Sequence, residues 1–286
     1  GAAAWRSPDF HWGFYLIAVL GLVAAHACNN LMNDLFDLAV GSDTDDYPRA
    51  LYAPHPVLSG LASRKTLFVS ALLLNLVDVA IMLVLFAKRG WPIIGFAIAG
   101  FILSVGYTAP PLRLKRIALG ELAVFLVWGP LMIGGTYYAA VGKLSWKVFA
   151  FSVPYGLVVT SVLLGKHIDK IPWDRELGIR TLPVVLGEGL ARSITRMSMW
   201  AFYVLVGAGI LARIFPWPAA VVYLGLPTLL RVDRVLARPR PEQAPERFPV
   251  WPLWFAAWTF LHTRRAGALL VAGCLVGSIL WPTALT

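Results

Sequence analysis

Apolar runs of bilayer length recur along this chain, at approximately residues 11–32, 66–87, 91–108, 119–141, 147–165, 193–214 and 266–284. A hydrocarbon core is crossed by about 17–25 helical residues. Inside it the backbone must satisfy its own hydrogen bonds, so the runs predict helices. A shorter run at about 216–230, continuing toward Arg231, predicts an eighth span. Residues 249–262 are Trp-rich and bounded by Pro and His, which suits a helix lying in the membrane interface. The expected fold is therefore all-α: a polytopic membrane helical bundle with eight visible transmembrane helices, forming one domain over residues 1–286. Composition agrees, because 58% of the residues are apolar and 14% charged, against about 25% charged in a soluble domain. Disorder, collagen-like chains and secreted disulfide scaffolds are excluded. Cys28 and Cys274 lie in apolar runs without metal-ligand spacing and read as small buried apolar residues.

The net charge of +10 has two meanings: nucleic-acid binding, or basic loops flanking spans. Alternating the spans places 19 Lys and Arg on one side and 6 on the other; if 249–262 crossed the membrane, the split would be 17 to 8. Either way the basic side reads as cytoplasmic. The start, GAAAWRSPDF, has no basic n-region or cleavage site, so no signal peptide is expected. No basic segment stands apart from the spans, which argues against nucleic acid. The acidic residues gather on the same side as most of the basic ones. Loops that collect both signs can build a site for a polyanion and its metal.

Three polar clusters lie on that side. In HACNNLMNDLFDLAVGSD, Asn30, Asn33, Asp34 and Asp37 follow i, i+3, i+4, i+7 spacing and share one helix face. Asp43 follows beyond Gly41. Carboxylates at a helix C-terminus oppose the macrodipole and are costly near hydrocarbon, so a positive partner is required. Oxygen ligands of this kind suit Mg²⁺, which takes one or two carboxylates plus phosphate oxygens. In LLGKHIDKIPWDRELGIRT, Asp169 and Asp174 flank the helix-breaking Pro172, with Lys166, Arg175 and Arg180 around them. In GYTAPPLRLKRIALGEL, Tyr107 ends a span, and Arg113, Lys115 and Arg116 follow Pro110 and Pro111. Such a loop serves as an orientation signal, a lipid headgroup contact or a clamp for phosphate oxygens.

These segments resemble the UbiA superfamily of intramembrane prenyltransferases, over nearly the whole chain. The closest resemblance is to the menaquinone branch, the 1,4-dihydroxy-2-naphthoate prenyltransferases. NDLFDLAVGSD, from Asn33 to Asp43, is similar to that branch's first motif, as are LGELAVFLVWGPLMIGGTYYAA, GIRTLPVVLGE and LHTRRAGALL. The family fold has nine transmembrane helices, and the one that usually precedes the first motif is missing from the eight runs. Counting back from Gly178, Arg180 and Thr181, Asp174 takes the second aspartate of the second motif. The first falls on Lys170, with Asp169 one residue away. Gly165, Lys166 and His167 replace the asparagines and arginine that precede this motif in the menaquinone branch.

The resemblance implies an Mg²⁺-dependent enzyme transferring alkyl or aryl groups other than methyl. An isoprenoid would pass from a prenyl diphosphate to a small aromatic acceptor in quinone biosynthesis, in a bacterial cell membrane with the motif loops cytoplasmic. One Mg²⁺ would be held by Asn33, Asp37 and Asp43, with Asp34 a ligand or an acceptor behind the ligands. The other would be held by Asp169 and Asp174. Arg113, Lys115, Lys166, Arg49 and Arg180 would meet the diphosphate. Tyr107 would bind it or aim the allylic carbon, or would only anchor at the interface. Asn30 and His167 are candidates for holding the acceptor. Asp37, Asp174, Tyr107 and Lys115 are the expected catalytic groups. Alternatives are a related transferase with another acceptor, a terpene cyclase with none and, more distantly, a transporter, for which no internal repeat is seen. Asp78, three residues after Asn75 in mid-span, suits either function or structural hydrogen bonding. His26 reads as a satisfied interhelical group, and His262 as orienting the interfacial helix.

Overall fold

A computed structural model describes residues 4–39, 48 and 54–280; Asp43 and Arg49 lie outside these. The described chain is helical. Helix α1 (Trp12–Ala39) carries the first motif at its C-terminal end, and α2 (Arg64–Arg89) packs along it. Ser63 caps α2, its hydroxyl accepting from the Thr66 N–H at 3.0 Å. Gly90 ends α2 at φ +79°, and α3 (Trp91–Val105) starts at once with Pro92 in its first turn. A 3₁₀ turn at Leu114–Arg116 leads to α4 (Gly120–Leu126). A π-helical turn around Pro130 (Val127–Leu131) joins α4 to α5 (Met132–Val141). Proline has no N–H to continue the α pattern, which accounts for the widened turn.

The second half is better buried. Helix α6 (Trp146–Asp169) is its axis, followed by the short α7 (Ile171–Glu176) and α8 (Leu182–Leu186), then α9 (Glu188–Leu211). A 3₁₀ stretch (Trp217–Gly225), α10 (Leu226–Leu236) and α11 (Trp254–Leu280) complete it. Val158, Met199, Phe202, Val206, Leu229 and Phe255 form a core sealed from outside. Gly165 lets α6 meet α11: a Cβ there would lie 2.5 Å from the Thr259 hydroxyl and 2.9 Å from the Phe255 carbonyl. The first half instead shows Leu16, Leu20, Phe68, Leu73, Leu76 and Leu83 on its outside, each more than half exposed, as a lipid-facing surface requires.

Six helical stretches among the described residues are long and apolar enough to cross a membrane: α1, α2, the α4–α5 unit, α6, α9 and α11. Two expected spans differ. The 91–108 run forms only the 15-residue α3, and the 216–230 run divides into the 3₁₀ stretch and α10. The expected interfacial helix is a further correction, because residues 254–280 are one helix of 27 residues, about 40 Å long at 1.5 Å per residue. Arg264 and Arg265, expected in a loop, sit inside it. Arg264 reaches over the Phe260 ring, and Arg265 donates to the Thr228 hydroxyl at 3.2 Å. Amphipathic stems let such residues stay in a helix while their charges seek polar partners. His262 is fully buried, 3.2 Å from the Tyr203 hydroxyl, and so belongs to the core. Cys28 and Cys274 are buried and unbridged.

At one end of the bundle Arg89 closes the α2–α5 contact. Its Nε and Nη2 donate to the carbonyls of Ala139 and Ala140 at 2.8 and 2.7 Å. These are last-turn carbonyls of α5, where a cation also suits the helix dipole. Gly142, at φ +77°, leaves room for the guanidinium, which a Cβ would touch at 2.7 Å. The C-termini of α1, α3 and α6 gather at the other end with the N-terminus of α11.

Candidate active site

Asp37 occupies the last turns of α1. Lys115, from the turn after α3, donates to its Oδ2 at 2.9 Å, with side-chain exposures of 7% and 14%. Two segments 78 residues apart are thus pinned by one buried charge pair. Backbone bonds fix the basic loop: the Leu114 N–H donates to the Gly106 carbonyl and the Lys115 N–H to the Tyr107 carbonyl, at 2.9 and 3.0 Å. Asn33, one turn before Asp37, accepts at Oδ1 from the Thr108 hydroxyl at 3.0 Å. Asp34 is buried, and its backbone carbonyl lies 3.3 Å from Nε2 of His55. His55 Nδ1 accepts from the Val57 and Leu58 N–H groups, which leaves Nε2 as the donor toward α1. Asn30 is exposed and turns back toward His26 at 3.5 Å, rather than toward the loops. His26, expected to be a satisfied interhelical group, is itself exposed and meets Trp128 edge to face.

The second motif divides. Asp174, in α7, is fully buried, and its backbone is tied on both sides: its N–H donates to the Lys170 carbonyl, and its carbonyl accepts from Ile179 N–H. Asp169 is also buried, but both of its oxygens face the start of α11. They accept from the Phe255 and Ala256 N–H groups at 3.0 and 2.7 Å. The structure therefore uses Asp169 as the cap of the last helix, where the sequence reading made it a metal ligand. The physical reason is that α11 begins inside the protein, and its first N–H groups need an acceptor that water does not supply.

Lys170, next to Asp169 at the end of α6, feels the charges of this centre. Burial draws its ammonium down to about 8, and the charges of Lys115 and Lys166 act in the same sense against Asp174 and Asp37. Burial also holds the Tyr107 phenol well above its ordinary value, and the carboxylates of Glu121, Asp37 and Asp174 add to this. The two motifs and the basic loop thus share one electrostatic neighbourhood. Arg113 takes a left-handed backbone (φ +45°), and its buried Nε has no hydrogen-bond partner among the described residues. Arg180 is exposed, and its backbone pairs with that of Ile117, tying the second-motif loop to the basic loop.

Glu121 was absent from the sequence-derived set. It sits in the first turn of α4, buried, with one oxygen 2.7 Å from His167 Nδ1. An ionised carboxylate only accepts, so this contact places the imidazole proton on Nδ1 and turns Nε2 toward the Tyr107 hydroxyl, 3.5 Å away. The second Glu121 oxygen is buried without a hydrogen-bond partner among the described residues. A carboxylate at the entrance of an otherwise apolar run was the available signal.

The UbiA prenyltransferase family model matches residues 1–261. The chain belongs to the UbiA prenyltransferase family. It is a multi-pass membrane enzyme that transfers prenyl groups. A 2-carboxy-1,4-naphthoquinone phytyltransferase from Synechocystis is 26% identical over 238 residues, covering 82% of this chain and 75% of that protein. A 1,4-dihydroxy-2-naphthoate octaprenyltransferase from Mycobacterium tuberculosis is 31% identical over 235 residues, covering 81% and 76%. The same fold occurs in a UbiA homolog from Archaeoglobus fulgidus, solved bound to GPP and Mg²⁺. It matches at a TM-score of 0.57 and 13% identity, over 92% of this chain and 89% of that one.

Among the described residues, no three acidic, His or Cys side chains form a ready-made metal cage. The donors that do converge, Asn33 and Asp37 on one helix face, are hard oxygen ligands. They fit Mg²⁺, which binds through one or two carboxylates and completes its shell with phosphate oxygens and water.

Proposed function

We propose that this family member moves an isoprenoid from a prenyl diphosphate to a small aromatic acceptor of the naphthoate or naphthoquinone type, in quinone biosynthesis. Residues 1–286 work as one transmembrane unit. The observation that carries the diphosphate end is the buried Lys115–Asp37 pair. It sets a cation beside the oxygen donors of the first motif, where the membrane helices end.

Mg²⁺, held by Asn33 and Asp37, with Asp34 and Asp43 (the latter outside the described residues) as further candidate ligands, would supply positive charge against the departing diphosphate. The chain's own cations do the rest. Lys115, Arg113 and Lys166 bind diphosphate oxygens and stabilise the negative charge that grows as the carbon–oxygen bond of the allylic ester breaks. Arg180 and Arg49, the latter outside the described residues, would add to this field. Asp174 offsets the charge of the cations around it, Lys170 among them. Tyr107 would carry its hydroxyl to the allylic carbon's side, facing His167, which Glu121 holds in turn. The electron-rich ring carbon of the acceptor then forms the new carbon–carbon bond. The walls of the bundle keep water from the cation meanwhile. Asn30, exposed and turned away, is the weaker acceptor contact; His167 is the stronger.

We read the motif face as cytoplasmic, in a bacterial cell. With Arg264 and Arg265 set aside as members of α11, 17 basic residues still belong to that side against 6 opposite. A second reading, transfer to a different acceptor, is favoured by His167: it is held by Glu121 where the menaquinone branch has other residues.

The test is purified protein in detergent with Mg²⁺, labelled prenyl diphosphates and an acceptor panel. Prenylated dihydroxynaphthoate supports the proposal. Turnover only with other acceptors supports the second reading, and diphosphate release with no acceptor indicates a cyclase. No turnover of any prenyl diphosphate rejects all three.

A further inference from the structure

We propose that Tyr107, His167 and Glu121 form a proton relay that takes the hydroxyl proton of the aromatic acceptor while its ring carbon attacks the prenyl group. This rests on the prenyl-transfer reading above and deepens it. It says where the acceptor's proton goes, and it limits the acceptor to rings that carry a hydroxyl.

The argument begins with burial. Glu121, in the first turn of α4, is 4% exposed, and His167, in the last turn of α6, is 1% exposed. Tyr107 is half-buried. Glu121 Oε1 lies 2.7 Å from His167 Nδ1, and His167 Nε2 lies 3.5 Å from the Tyr107 hydroxyl. Long contacts of this kind tighten once substrate is bound. The Tyr107 ring lies against Gly120, where a Cβ would come within 3.1 Å of its Cε2. The Tyr107 carbonyl accepts from the Lys115 N–H at 3.0 Å, and the Lys115 ammonium pairs with Asp37 at 2.9 Å. The relay therefore ends one backbone hydrogen bond from the charge pair assigned to the diphosphate. His167 is too deep to meet a substrate directly, so its contact with the acceptor runs through the Tyr107 hydroxyl.

The electrostatics favour a proton on this pair. A neutral imidazole gives the Glu121 carboxylate one hydrogen bond, and the second Glu121 oxygen is buried with no hydrogen-bond partner among the described residues. A proton arriving at Nε2 makes an imidazolium whose charge lies beside that carboxylate in a poorly screened place. Charge-assisted bonds of this kind are roughly twice as strong as neutral ones. Glu121 also fixes the tautomer: with the resting proton on Nδ1, the Nε2 lone pair is the one that faces Tyr107.

The step balances as follows. The carbon–oxygen bond of the prenyl diphosphate breaks, and its electron pair leaves with the diphosphate. The ring carbon next to the acceptor hydroxyl bonds to the allylic carbon. The acceptor O–H breaks, and its electron pair becomes the second bond of a ring carbonyl. Its proton passes to the Tyr107 oxygen, while the Tyr107 proton passes to His167 Nε2. The keto form then rearomatises by moving hydrogen from the substituted carbon to the oxygen. The proton held on His167 leaves through Tyr107 to water. Tyr107 touches the acceptor; His167 and Glu121 act through it.

The test uses the whole chain in detergent with Mg²⁺, geranyl diphosphate and a series of phenols and naphthols. Each acceptor is paired with its chloro and nitro derivatives, which grade the acidity of the hydroxyl, and with its methyl ether, which lacks the proton. Site integrity is measured by calorimetry with Mn²⁺ and geranyl S-thiolodiphosphate, an unreactive probe. His167→Gln keeps a donor for Glu121 but cannot hold a proton. It should bind the probe as wild type does, and its kcat with weakly acidic hydroxyls should fall by about 10². With nitro derivatives, which arrive ionised, the fall should be less than ten-fold. Tyr107→Phe should show the same dependence on acidity. Added imidazole should restore His167→Ala and not Tyr107→Phe. An equal loss at every acidity, or a loss of probe binding as large as the loss of turnover, would make His167 a structural partner and overturn the relay. Wild-type turnover of the methyl ethers as fast as of the free hydroxyls would overturn it while leaving the prenyl-transfer reading intact. Failure of wild-type protein to bind the probe and to turn over any prenyl diphosphate would instead reject that reading, and this inference with it.

Discussion

Two lysine–aspartate pairs sit at opposite ends of the bundle. Lys143 and Asp9 meet at 2.6 Å, Lys115 and Asp37 at 2.9 Å. By distance the first looks stronger. By setting it is the weaker, because its side chains are 69% and 47% exposed and those of the second 7% and 14%. Water solvates the exposed ions almost as well apart as together. The buried pair has no such alternative, so each partner needs the other or a substitute. A substrate that brings its own anion and metal supplies that substitute. Burial thus turns an ordinary ion pair into a site that can exchange partners. The same contrast holds for the two ends as a whole: one is closed by backbone carbonyls around Arg89, the other by charged side chains.

The largest effect should follow from breaking the buried pair on its acidic side. Asp37→Ala removes a proposed metal ligand and takes from Lys115 its buried ion-pair partner. We expect kcat/KM for prenyl transfer to fall by about 10³, beyond any loss of folded protein seen by circular dichroism and detergent stability. A variant that folds and keeps more than a tenth of wild-type activity would remove Asp37 from the chemistry.

The next effect concerns the residue that sequence reasoning missed. Glu121→Gln keeps the shape and a hydrogen bond but no longer fixes the proton on His167 Nδ1. Turnover should drop by about 10², mostly in kcat, with KM for prenyl diphosphate little changed. Equal loss in both, or a collapse of stability, would mean that Glu121 is a buried structural partner only.

Glu121 also shows where legibility ended. The periodic spacing from Asn30 to Asp37 placed the first motif on one helix face, and the alternation of spans put all three polar clusters at one end. Both follow from short-range geometry and bilayer length. What stayed hidden depended on contacts between distant segments. Nothing near Asp169 in sequence reveals that the N-terminus of α11 needs a cap, since the two are 86 residues apart. For the same reason His167 and Glu121 gave no sign of being paired. The joining of 249–262 to the last span was missed because Arg264 and Arg265 read as the end of a run, although a helix can carry such residues on one edge.

Asp169→Ala sharpens the contrast between the two acidic residues of the second motif. It should lower stability by about 2 kcal/mol, because two buried N–H groups lose their acceptor. Metal affinity in the probe complex should be unchanged. Asp169→Asn, which still accepts one bond, should recover part of the stability. A loss of bound metal at unchanged melting temperature would return Asp169 to the ligand set.

At the opposite end, Arg89→Met should cost about 1–2 kcal/mol, since the Ala139 and Ala140 carbonyls lose charged donors while the aliphatic volume remains. kcat should not move, because Arg89 lies at the end of the bundle away from both motifs. A fall in kcat larger than the fall in folded fraction would couple the two ends.

The smallest effect closes the comparison. Lys143→Ala breaks the shorter of the two ion pairs. Its ammonium already stands in water, so the variant exchanges one solvated arrangement for another. Asp9 is left with an exposed charge that water and salt screen. Melting temperature and activity should both match wild type within error, at low and at high salt. A loss of stability in this variant as large as that caused by Lys115→Ala would mean that distance and not burial decides what these pairs do. It would also undo the reason for assigning the chemistry to the buried end.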